Sequence, residues 1–92
     1  MEKHKTSVYV GGKEYVLVSA EPPAYMQRVA EYADRVMRET AAATHLPALQ
    51  ANALAAVNLA DELMKAQDEN TRLRRQLREA MEELQALREA AK

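Results

Sequence analysis

The residues able to do chemistry are few and scattered. The chain has no cysteine, which removes disulfides, thiolate nucleophiles and Cys-based zinc sites together. Its two histidines, His4 and His45, fall near the N-terminus and in a connection. Neither has the i, i+4 His or Glu partner that a helical metal site would use. Asp61-Glu62 and Asp68-Glu69 are carboxylate pairs on a helix surface, with no cleft to raise a pKa for acid–base work. Gly11-Gly12 could suggest a phosphate loop, but no helix N-terminus follows it directly, so it reads as a hairpin turn. Arg72, Arg74, Arg75 and Arg78 form the densest basic block and could meet a nucleic-acid backbone. Acidic residues flank that block on both sides, and no aromatic lies near it to stack on a base, so a solvated or ion-paired helix face is the plainer reading. No catalytic constellation emerges. The expectation is a protein that is not an enzyme and needs no cofactor and no metal.

The elements that would carry these residues say more. Ninety-two residues with net charge −1 make one small domain, and four tyrosines are its only aromatics. Each half is balanced in charge, with six basic and six acidic side chains over 1–46 and seven and eight over 47–92. No apolar run approaches the ~20 residues of a membrane span. The charged N-terminal Met-Glu-Lys-His-Lys leads into an alternating segment rather than an apolar signal core, which predicts a soluble intracellular protein.

Residues 5–19 read as a β-hairpin. Thr6, Val8 and Val10 alternate with Ser7 and Tyr9, Gly11-Gly12 turns the chain, and Tyr15-Val16-Leu17-Val18 resumes β-forming residues. A lone hairpin is marginal in water, so it must lie on a helix or extend a sheet shared with another subunit. Pro22-Pro23, with Glu21 before them, opens a helix predicted over 23–40. Its apolar residues, Tyr25, Met26, Val29, Ala30, Ala33, Val36 and Met37, form a core-width stripe, and Arg28, Arg35 and Arg38 fall mostly on the other face. Residues 41–46 form a connection, with Thr44 and Pro47 marking the next helix start. From Pro47 to about Ala90 nothing breaks a helix, giving an element of roughly 65 Å.

The apolar stripe changes width along that helix. Between Leu46 and Met64 it is broad and reads as part of a globular core, with Asn58 beside it as a core amide bonded to nearby backbone. From Leu63 it narrows to Leu63, Ala66, Asn70, Leu73, Leu77, Ala80, Leu84, Leu87 and Ala91, an average step of 3.5 residues. That is the coiled-coil period. The fold class is therefore α+β. A small head over 1–62 contains hairpin, short helix and the start of the long helix at 47–62, and an oligomerising coiled-coil stalk follows over 63–92.

The charges of the stalk permit two pairings. In a parallel dimer Asn70 faces its copy, and Glu69–Arg74′ and Glu83–Arg88′ are favourable. An antiparallel pairing sets the basic block 72–78 alongside the acidic block 79–83, with Met81 widening the seam. Two parallel dimers meeting end to end as an antiparallel four-helix stalk would satisfy both. The seam residues proposed for assembly are Leu63, Asn70, Leu73, Leu77, Met81, Leu84 and Leu87.

The order of these pieces resembles the ZapA family of cell-division proteins. The resemblance lies in Val8-x-Val10-x-Gly12 with Tyr15, in Tyr25-Met26-x-x-Val29-Ala30-x-Tyr32-x-Asp34-x-x-Met37, and in Leu54-Ala55-Ala56-Val57-Asn58-Leu59-Ala60-Asp61-Glu62-Leu63 entering a coiled coil. It implies a cytoplasmic protein at the division site that forms dimers through the heads and tetramers through the stalks. It also implies that FtsZ filaments are bound and cross-linked. Such filaments are acidic, which makes Lys13, Arg28, Arg35 and Arg38 the candidate filament contacts. The competing reading is a nucleic-acid-binding or scaffold coiled coil that uses Arg72–Arg78.

Overall fold

The computed structural model describes residues 2–92. It runs β1 (His4–Val10), β2 (Lys13–Ser19), α1 (Pro23–Thr44) and α2 (Ala48–Ala90). This is the expected α+β order of hairpin, shorter helix and one long helix. The chain divides into two compact units, Met1–Leu59 and Ala60–Lys92. The first holds the hairpin, α1 and the beginning of α2, and the second holds the rest of α2.

β1 and β2 pair antiparallel, with Val10 opposite Lys13 and His4 opposite Ser19. Gly11 (φ 63°) and Gly12 (φ 84°) both lie in the left-handed region, as a two-residue turn matched to strand twist requires. His4 is the first residue of β1. Alternation in β1 buries Thr6 and Val8 and exposes Lys5, Ser7 and Tyr9. α1 packs against β1. Two side chains of the helix reach the strand backbone: Gln27 Nε2 donates to the Ser7 carbonyl at 2.6 Å, and the Gly11 N–H donates to Asp34 Oδ1 at 3.0 Å.

α1 begins at Pro23 after Pro22 in extended conformation, where a missing N–H costs nothing. It runs four residues beyond the expected end. Ala41-Ala42-Ala43 carries strong helix formers, and termination waits for His45, which adopts φ 57° and donates its N–H to the Ala41 carbonyl at 3.1 Å. Thr44 closes α1 rather than announcing α2: its hydroxyl donates to the Thr40 carbonyl at 2.7 Å and accepts from the Leu46 N–H at 3.4 Å. Pro47 then caps α2, its carbonyl accepting from Ala51 N–H at 2.9 Å.

The core of the single chain is thin. Among the described residues, the buried apolar side chains are Val8, Ala30, Ala51 and Ala55. This corrects the reading of the broad stripe from Leu46 to Met64 as core. Within that stretch Leu49 stays 83% exposed and Val57 63%, and the buried residues are Ala51 and Ala55. An apolar stripe wider than the strip that is buried calls for a further partner surface. Asn58 is exposed as well, not a core amide. Tyr25, Val29 and Tyr32 on α1 are similarly open, each more than two-fifths exposed.

Candidate functional site

Helical spacing places Arg28, Arg35 and Arg38 about one and two turns apart along α1. The three line one shallow groove together with Val29, Glu31 and Tyr32. The Arg35 guanidinium carbon stands 5.0 Å from the centre of the Tyr32 ring, a cation–π contact that holds the charge over an aromatic face. Arg35 also approaches Glu39 at 4.0 Å, and both side chains are more than half exposed. At such exposure the pair contributes little to stability, so the guanidinium is available to an incoming carboxylate. Arg38 differs. Its Nε donates to Asp34 Oδ2 at 3.0 Å, and Asp34 is the better buried partner.

Lys13 opens β2 immediately after the turn. It lines a separate concavity with Val10, Gly11, Met37, Leu49 and Asn52. The four basic candidates therefore divide between two surfaces of the first unit. The hairpin turn joins them, since Gly11 and Gly12 line a further hollow together with Asp34 and Arg38. A Cβ at Gly11 would make ordinary van der Waals contact with Met37 Sδ at 3.4 Å and Asn52 Nδ2 at 3.5 Å. At Gly12 the same position opens on free space.

The second candidate surface is the seam of α2. Leu63, Leu73, Leu77, Met81, Leu84 and Leu87 are all large apolar residues and all about half exposed or more, and Asn70 shares that exposure. The charges between them pair within the helix. Asp61 accepts from Lys65 Nζ at 2.9 Å, a hydrogen bond reinforced by charge that raises the pKa of the lysine. Glu69 binds Arg72 through both oxygens, the Nε contact being 3.0 Å, and this likewise raises the arginine pKa. The basic block thus begins with an arginine already engaged by a neighbouring carboxylate, in keeping with an ion-paired helix face. No helix among the described residues is long and apolar enough to cross a membrane.

The contacts made by two residues of this site had no signature in the sequence. Gln27 and Asp34 look like ordinary polar-face residues, yet each reaches a backbone group about twenty positions away. Their partners exist only once α1 lies along β1. The Tyr32–Arg35 contact, by contrast, was readable as an i, i+3 spacing on a helix.

Comparison with known proteins decides the family. Residues 6–90 match the family model described as Cell division protein ZapA. The chain belongs to the ZapA family. The cell division protein ZapA of Geobacillus kaustophilus is 39% identical over 79 residues, covering 83% of this chain and 85% of that protein. The ZapA of Bacillus velezensis is 37% identical over 81 residues, covering 85% and 93%. A solved structure described as a ZapA mutant dimer from Geobacillus stearothermophilus superposes with a TM-score of 0.68 at 35% identity, over 85% of this chain and 92% of that one. The hairpin, shorter helix and long helix are therefore a ZapA fold, and the long helix is consistent with a coiled-coil stalk.

Proposed function

We propose that this chain binds FtsZ filaments in the cytoplasm at the division site and cross-links them. In this reading residues 1–62 form a filament-binding head and residues 63–92 a connecting stalk. Heads pair to make dimers, and stalks of two dimers meet antiparallel to make a tetramer. A tetramer with heads at both ends is bivalent, so individually weak head contacts hold two filaments together by effective concentration. No cofactor takes part.

The observation that carries this reading is the exposed 3.5-residue seam of α2 in a chain of the ZapA family. Several large apolar side chains in one narrow line are costly to leave in water, and a second helix is what fits them. The exposed face of α1 with the uncovered stripe of α2 gives a head its own reason to pair. Lys13, Arg28, Arg35 and Arg38 are proposed as the contacts to an acidic filament surface. High-speed sedimentation of purified FtsZ with this chain, with and without GTP, tests the binding step. The chain should enter the pellet only when GTP supports polymers, and its absence from that pellet would remove the filament as partner.

A further inference from the structure

Asp34 is the one carboxylate of α1 that is not fully open to solvent, with its side chain 23% exposed. Both of its oxygens are engaged. Oδ1 accepts the Gly11 N–H and Oδ2 accepts Arg38 Nε, each at 3.0 Å. The Gly11 amide belongs to the centre of the turn, between the closing pair Val10–Lys13, where strand pairing offers it no acceptor. A charged acceptor is the strongest partner such an amide can find. Arg38 is held on its Nε edge only, and its side chain remains 72% exposed. Among the described residues its two terminal amino groups have no partner, so the outer edge of the guanidinium fork is presented to solvent.

We propose that Asp34 is a positioning residue that sets the hairpin turn and the Arg38 fork into a single docking surface for an acidic protein face. One carboxylate ties two segments 23 positions apart: the turn, with Lys13 just beyond it, and the charged middle of α1. Tyr9, Gly11, Gly12 and Arg38 line the same hollow around it. Its negative charge, which alone would repel an acidic partner, is spent inward on the turn amide and the inner edge of the arginine. A flexible arginine would have to be ordered when the partner arrives, and the contact with Asp34 reduces that cost. The proposal rests on the filament-binding reading for the identity of the acidic partner, but the tie between turn and helix can be read without the filament.

The test compares full-length wild type with D34N, D34A, R38A and the double variant D34N/R38A. Amide exchange at Gly11 reads the tie, light-scattering mass reads assembly, and co-pelleting with GTP-polymerised FtsZ reads docking. D34N keeps an oxygen for the Gly11 amide but turns a donor group towards Arg38. Its Gly11 exchange should stay within about twofold of wild type while filament affinity falls about three- to tenfold. D34A should speed Gly11 exchange about tenfold or more and lose at least as much affinity. If Asp34 works through Arg38, adding D34N to R38A costs no further affinity; independent effects would simply multiply. Multiplying effects, or D34N binding filaments as wild type does, would overturn the positioning role. Unchanged Gly11 exchange in D34A would overturn the tie to the turn. A wild-type chain that fails to co-pellet while D34A still loosens Gly11 would overturn the filament reading, and the docking role with it, but not the tie.

Discussion

Thr6 sits on the inward side of β1, 4% exposed, and its hydroxyl has no hydrogen-bond partner. A buried hydroxyl without a partner is a penalty that a methyl group of the same shape does not incur. T6V should therefore stabilise the protein by about 1 kcal/mol, measured as a shifted urea midpoint at fixed protein concentration. Gly11 and Gly12 both need the left-handed region, and the contacts a Cβ at Gly11 would make with Met37 and Asn52 are at ordinary van der Waals distance. G11A and G12A should each cost about 1 kcal/mol, the ordinary penalty for a side chain at positive φ, read from urea midpoints. A much larger loss at Gly11 would mean that its neighbours cannot accept even a methyl group. The turn itself was legible from Gly-Gly between two β-forming runs. The role of Asp34 was not, because a contact across 23 positions leaves no periodic trace.

At the scale of elements, periodicity located all four, and their boundaries moved where local chemistry competed with it. α1 extended to Thr44 because alanines carried the helix past the end of its apolar stripe, until His45 could take φ 57° ahead of Pro47. The stripe of α2 was visible in the sequence, but its width was misread as burial. A broad stripe says that a partner is needed, not that the partner is in the same chain, and Leu49, Val57 and Met64 remain open. The narrow seam makes a sharper prediction. Replacing Leu77 and Leu84, both about half exposed or more in the single helix, by glutamate should leave α2 helical but place like charges in any helix–helix seam. Light-scattering mass should fall from tetramer to dimer over a concentration series, with little loss of helical circular dichroism. An unchanged mass would place the tetramer contact elsewhere. The ion pairs on this helix should matter little: K65A removes an exposed pair with Asp61, and thermal unfolding should move by no more than a degree or two.

For the whole molecule, the proposed function depends on joining two things: a head surface to hold a filament and a seam to join heads. The family was legible from the order and spacing of packing residues, and residues 6–90 match its model. The proposed binding surface was legible only as scattered basic residues. The groove shared by Arg28, Arg35 and Arg38, and the turn between it and Lys13, appear only in three dimensions. Charge reversal at one residue from each surface, K13E with R35E, should weaken co-pelleting with polymerised FtsZ about tenfold or more without changing the mass of the oligomer. Binding alone does not join filaments. Low-speed sedimentation separates bundled filaments from single ones and so reads cross-linking itself. Wild-type chain should drive GTP-polymerised FtsZ into the low-speed pellet, and the L77E/L84E variant should bind the filaments yet leave them in the supernatant. Bundling by that variant as complete as by wild type, with its mass confirmed as a dimer, would contradict the account.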